Sequence, residues 1–401
     1  MHAGVGREIA ANLVHVGVDQ KVCAEARSVG RDVAARWADR VDAEARFPAE
    51  TVAALRASGL LGALVPPEWG GPGASMQEMV EAVVILAEHC GSSGLVLAMH
   101  QIQVASVVRH GSASACELVL PRLVAGQLLL ANANSEVGLG GNRRSSICAL
   151  EPSSGGFRLE KQASTVSYGE DADGVLATAR RTPESPPDDQ VLAVCLPPDL
   201  HVEPRGDWNT LGLRGTCSKP CQLTAEIPPE LVIADYADVF TRTALPLSSV
   251  LLSAVWLGIA EAAAQRAHAS VRARARELRK SASTGAPPPS ALRLAELGVV
   301  LHQMREVLTG GTAAYERAKD TREVQTLRFS AWMDNLKLST STLVIDVVQR
   351  AMAICGLPGY QNDSDSSITR LMRDAAAAPL MVNNDRALLA AAQTLLVRKD
   401  L

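Results

Sequence analysis

The run Ser135-Glu136-Val137-Gly138-Leu139-Gly140-Gly141-Asn142 concentrates the chemistry this sequence offers most plainly. A serine hydroxyl donates or accepts, and glycines at 138, 140 and 141 let a main chain run close to a ligand. Such a stretch suits the polar edge of a ring or a phosphate; it also suits a simple tight turn. Gly356-Leu357-Pro358-Gly359 reads from its residues as a helix-capping turn, because glycine after a helix is a common C-terminal stop. Arg272, Arg274, Arg276, Arg279 and Lys280 make a local basic run, either a solvated helix face or a site for a phosphate-bearing ligand. Two residues are candidates for moving a proton. His100, in Met99-His100-Gln101, is one, against the alternative of a packed helix histidine. Asp385, in Asn383-Asn384-Asp385-Arg386, is the other, against the alternative of a helix N-cap. Cys217 and Cys221 are four apart but have no second pair or histidine cluster nearby, so no metal set is expected, and the eight scattered cysteines read as reduced thiols.

The elements that must position these residues can be outlined from composition. The chain has 401 residues, 47% apolar and 20% charged, with only 3% aromatic. That length allows two or three subdomains, and an alanine- and leucine-rich core is expected to be helical. A net charge of −4 gives no broad basic surface, so nucleic acid is not an expected partner. The first residues lack a basic region followed by an apolar run. Leu245 to Ala260 is apolar but short for a bilayer and contains Pro246, so it reads as a buried helix. A cytoplasmic protein with no membrane association is the expectation.

Three zones follow. Residues 1–126 show helical spacing, with a helix from Phe47-Pro48-Ala49-Glu50 through Leu60. A turn-rich connector runs from Val65 to Gly73. Further helices are expected from Gln77 to His89 and from Leu95 to His110. Residues 127–238 carry short strand patterns at 157–160, 175–178 and 191–194, as in a small β-barrel or sandwich. Residues 239–401 return to long helices, Ala244–Arg276, Leu292–Arg317 and Glu323–Met352, with a loop at 281–289. Helices, then strands, then helices argue against a doubly wound sheet.

Five segments in this order resemble the acyl-CoA dehydrogenase superfamily. Leu61-Gly62-Ala63-Leu64-Val65-Pro66-Pro67-Glu68-Trp69-Gly70-Gly71 is similar to its N-terminal turn. Ser135 to Asn142 is similar to the flavin loop Thr-Glu-Pro-Gly-Ala-Gly-Ser-Asp. Trp208 to Thr216 is similar to a late barrel strand, Ile354 to Tyr360 to the Gly-Gly-x-Gly loop, and Leu371-Met372-Arg373-Asp374-Ala375 to the motif ahead of the catalytic segment. The resemblance implies an N-terminal helical domain, a central β-barrel domain and a C-terminal four-helix bundle. It implies FAD between the last two, in a homodimer or homotetramer. It assigns to FAD the residues Asn134, Ser135, Gly138, Gly140 and Gly141, then Thr165 and Ser167, then Arg279. Gly356 and Gly359 would approach from a neighbouring subunit. Thr165 takes the place where relatives often carry an aromatic, and the phenylalanine of the family's Arg-x-x-Phe-Gly signal is missing near Arg279.

In many relatives the carboxylate base lies eight residues after the Asp of Arg-Asp-Ala, which here is Val382. Other relatives place it on the first long C-terminal helix, near Ser248. The resemblance therefore implies an FAD-dependent oxidoreductase acting on an acyl thioester, on CoA or a carrier protein, with a non-standard base or none. Asp385 and His100 are the candidates for that base. A flavin monooxygenase and a catalytically silent homologue are the alternatives.

Overall fold

Helical periodicity sets the first layer. In the computed structural model, residues 20–281 and 290–397 are described. Helix α1 (Gln20–Val29) continues through a π-helical turn, Gly30–Ala34, into α2 (Ala35–Glu44). Helix α3 (Ala49–Ala57) is shorter than the sequence suggests, because Gly59 turns left-handed at φ 76° and a 3-10 turn takes over at Leu60–Gly62. Helix α4 (Met76–His89) opens on a capping box, Ser75 and Glu78 each serving the other's backbone N–H. Helices α5 (Gly91–His110) and α6 (Ala113–Val124) complete the domain.

The middle domain has two four-stranded sheets rather than one closed barrel. Strands β1 (Leu130–Ala133), β2 (Leu150–Ser153), β3 (Gly156–Val166), β4 (Gly174–Arg180), β5 (Gln190–Cys195), β6 (Leu200–Pro204), β7 (Lys219–Ile227) and β8 (Val232–Ile233) follow in chain order. One sheet runs β1-β4-β5-β8, with β1 parallel to β4; the other runs β2-β3-β7-β6 and is antiparallel throughout. The segment read as a late strand, Trp208–Thr216, is a loop that ends in a 3-10 turn, Arg214–Thr216. It is fixed by tertiary contact: Leu213 N–H donates to Asp374 Oδ1 at 2.6 Å, and a Cβ on Gly212 would stand 2.0 Å from the Arg373 carbonyl oxygen.

Helix α7 (Tyr236–Val239) leads through a π-helical turn, Phe240–Ala244, into the central α8 (Leu245–Ser281). Helices α9 (Ser290–Ala318), α10 (Leu327–Cys355), α11 (Leu357–Tyr360), α12 (Thr369–Ala375) and α13 (Asn384–Val397) follow. Helix α10 starts at Leu327, not Glu323, because Thr326 caps it by accepting from Phe329 N–H and a 3-10 turn occupies Arg322–Gln325. The stretch Leu245–Ala260 is almost entirely buried, as a core helix should be. Its Gly258 lets α8 lie on α4; a Cβ there would sit 2.4 Å from Val84 O. The loop expected at 281–289 falls, beyond Ser281, outside the described residues.

Candidate active site

A cavity of about 1030 Å³ opens where the middle domain meets the C-terminal helices. Apolar side chains of α5 and α8, among them Leu95, Met99 and Leu252, form part of its wall. Polar groups come from the glycine-rich loop, the end of β3 and the segment from Arg373 to Ala390. A buried ion pair holds the loop. The Glu136 carboxylate accepts from Ile147 N–H at 3.0 Å, Cys148 N–H at 2.7 Å and Lys161 Nζ at 3.3 Å. Lys161 also donates to Thr178 O at 2.7 Å, so a fully buried ammonium is satisfied from strand β4.

Six residues expected at the site line this cavity: Asn134, Ser135, Gly140, Gly141, Thr165 and Ser167. Ser135 Oγ donates to Thr165 O at 2.9 Å and accepts from Thr165 N–H at 3.1 Å, tying the loop to the end of β3. Ser167 Oγ lies 2.8 Å from Ser218 Oγ, which lies 2.8 Å from Thr216 Oγ1, making a row of hydroxyls. Asn134 Nδ2 donates to Tyr236 OH at 2.9 Å, while its buried Oδ1 has no hydrogen-bond partner. Gly138 adopts φ 92° within the loop but does not line the cavity.

The two candidate proton carriers are placed elsewhere. His100 is fully buried: Nε2 bonds Leu61 O at 2.9 Å and Nδ1 accepts from Leu130 N–H at 3.0 Å. Those contacts require the neutral Nε2–H tautomer, and burial pushes its pKa down to about 4. It pins α5 to Leu61 and β1 and has no nitrogen left for a substrate. Asp385 is exposed in the first turn of α13, outside the cavity wall, where a carboxylate suits the helix N-terminus. Gly356 and Gly359 do not line the cavity either. Gly356 takes φ 68° at the end of α10, and Arg274 donates to Ile354 O at 2.8 Å and Cys355 O at 2.6 Å, completing the helix stop. The Arg279 side chain lies outside the described residues.

Four charged residues in the wall escaped sequence reasoning: Arg143, Arg144, Asp334 and Arg386. Asp334 is the sole carboxylate in the wall among the described residues, and burial pushes it up to about 6 against the pull of Arg143, Arg144 and Lys337. An Asn-Arg-Arg extension of the glycine loop was the available signal for the arginines. Asp334 had none, since it reaches the cavity through the packing of α10.

A family model for the acyl-CoA dehydrogenase N-terminal domain matches residues 19–127, and one for the acyl-CoA dehydrogenase C-terminal domain matches residues 239–381. The chain belongs to the acyl-CoA dehydrogenase superfamily. It is 28% identical over 268 residues to dibenzothiophene monooxygenase from Rhodococcus qingshengii, a match spanning 62% of this chain and 63% of that one, just under two thirds of the relative. Among solved structures, butyryl-CoA dehydrogenase from Megasphaera elsdenii superposes with a TM-score of 0.82 at 19% identity, covering 96% of this chain and 100% of that one. The FMN-bound TdsC of Paenibacillus sp. A11-2 gives 0.78 at 21% identity, covering 94% and 96%. The superfamily's members are flavin oxidoreductases and monooxygenases, and the residues here fit a flavin. Gly140 and Gly141 hold left-handed backbone at φ 54° and 82°, and Asn134, a residue of the cavity wall, carries a buried acceptor with no hydrogen-bond partner.

Within the superfamily frame, the two departures from pattern now have surroundings. Ser248 lines the cavity, but its hydroxyl is spent on Ala244 O at 2.5 Å, one turn back along α8. Val382 also lines it, in the left-handed region at φ 50°, a conformation that β-branched residues rarely adopt. Neither position offers a proton acceptor for carbon chemistry. The Arg373-Asp374 element joins domains instead: Arg373 bonds Asp42 of α2, and Asp374 receives Leu213 N–H.

Proposed function

We propose that the protein is a flavin-dependent monooxygenase acting on a small organic molecule. The observation that carries this reading is the absence of a carboxylate at both Ser248 and Val382 in the wall of the cavity. A base is needed to take a proton from carbon in dehydrogenation; oxygen transfer has no such requirement. Bound reduced flavin would supply two electrons, so that one atom of O2 enters the substrate and the other leaves as water. The chain's own residues bind and orient. Leu95, Met99 and Leu252 shed water and suit an apolar substrate body. The hydroxyls of Ser167, Ser218 and Thr216 supply polar contacts at the middle-domain side. The likeness to dibenzothiophene monooxygenase supports the same reading.

Oxidation of an acyl thioester is the second reading, and Asp334 favours it. A carboxyl raised to about 6 is near the range where a base works at neutral pH. The two readings separate in one experiment. Flavin-loaded protein is mixed with a panel of acyl-CoAs without oxygen, and separately supplied with reduced flavin, O2 and a fused-ring heteroaromatic. Oxygenated product with no anaerobic bleaching is the expected result. Bleaching by any thioester, abolished in Asp334→Asn, would replace oxygen transfer with dehydrogenation.

A further inference from the structure

Three guanidinium groups meet in one part of the cavity wall with too little negative charge to balance them. Arg143 and Arg144 both stand over the Phe240 ring, 5.2 and 5.1 Å from its centroid. Arg386 reaches in from α13, donates to Gly140 O, and lies against Gly141, where a Cβ would be 3.3 Å from its Nη1. Among the described residues none of the three is in ion-pair contact with a carboxylate, and the carboxylate that faces Arg143 and Arg144 is Asp334. Burial, with Arg144 and Arg386 adding to it, pushes Arg143 below its ordinary pKa. At Gly141, where φ is 82° and Arg386 lies against it, a side chain would be strained and crowded.

We propose that Arg143, Arg144 and Arg386 form an anion subsite that takes a phosphate group carried by the flavin or by the substrate. Three guanidinium groups with the Lys337 ammonium beside them, against the one carboxylate of Asp334, leave an excess of positive charge that a phosphate monoester of charge about −1.5 to −2 offsets further than a carboxylate does. Guanidinium forks also match phosphate oxygens in pairs. The subsite does not depend on whether the flavin chemistry is oxygen transfer or dehydrogenation.

The test is calorimetric titration of the full chain, flavin-free and FMN-loaded, with sulfate, FMN and riboflavin. Sulfate keeps its charge across the pH range used. Flavin-free protein is expected to bind sulfate saturably, and Arg143→Gln/Arg144→Gln to bind it at least about tenfold more weakly. Arg386→Gln gives a second variant, on an exposed residue outside the hydrophobic core. If the flavin supplies the phosphate, FMN outbinds riboflavin, the variants erase the difference, and FMN-loaded protein no longer takes sulfate. If the substrate supplies it, FMN-loaded protein still binds sulfate. A further readout is pH. The charged groups facing Asp334 are Arg143 and Arg144 from the loop and Lys337 on its own helix, whose amine, lowered by burial to about 8, is still charged at pH 6. Arg386 adds charge through Arg143, and Tyr236, raised to about 12, stays neutral. Protonating Asp334 as pH falls through about 6 removes the competing charge, so sulfate binds at least about threefold tighter, and Asp334→Asn flattens that rise. No saturable sulfate binding in either form of the protein, or binding unchanged in all the arginine variants, overturns the proposal.

Discussion

His100 shows how a residue type with obvious chemistry becomes structural. Its ring is closed on both sides by main-chain groups of Leu61 and Leu130, and burial holds it neutral with a pKa of about 4. In the unfolded chain a histidine binds its proton near pH 6.5. Below that value the unfolded state takes up a proton that the folded state refuses, so the stability this histidine contributes is present above pH 6.5 and is lost as pH falls toward 4. The slope reaches at most about 1.4 kcal/mol per pH unit. Urea unfolding at pH 7, 5.5 and 4.5 is expected to show a steeper acid loss in the natural protein than in His100→Gln; parallel curves would show that the ring carries no such linkage. Nothing local in Met99-His100-Gln101 signals this role, because the partners lie 39 and 30 residues away. The same holds for Asp334. By contrast Ser135, Gly140 and Gly141 reach the cavity wall as one local run, since a glycine-rich stretch with a hydroxyl has its chemistry within a few residues.

At the scale of elements, glycines decide where segments touch. Gly212 is packed against the backbone between Arg373 and Asp374, with no room for a methyl group. Gly298, on α9, has nothing within 4 Å of where its Cβ would be. Gly212→Ala is therefore expected to lose about 1–3 kcal/mol by pushing the loop off Asp374, while Gly298→Ala gains about 0.5–1 kcal/mol from helix propensity. Thermal unfolding of the two variants checks this, and a harmless Gly212→Ala would mean the loop is not clamped. The long helices were readable from periodicity, with ends displaced where caps such as Thr326 intervene. Strands were harder. β6 has no buried position and neither β6 nor β7 contains an aromatic residue, although β7 alternates buried and less buried residues from Cys221 to Ile227, while Trp208–Thr216 looks extended yet owes its shape to Asp374, more than 150 residues on. Sequence proximity carries no information about that clamp.

At the scale of the whole molecule, α13 presents an open apolar face. Leu388, Leu389, Leu395 and Leu396 are all exposed, and their spacing, two adjacent pairs seven residues apart, puts them on one side of the helix. Leu380, just before this helix, is exposed as well. The opposite side of α13 carries Arg386, Ala387 and Ala390 into the cavity. A leucine face this continuous is unfavourable in water, and a second copy of the chain, presenting the same face across a twofold axis, would cover it. Sedimentation velocity of the natural protein is then expected to show a homo-oligomer, and Leu389→Glu with Leu396→Glu to shift it toward monomer. Because the same helix holds Arg386 against Gly140, the charged variant should also bind sulfate more weakly. A monomeric natural protein would leave the leucine face without this partner. An oligomer unaffected by the two glutamates would place the interface on another surface, leaving the link between assembly and cavity without support.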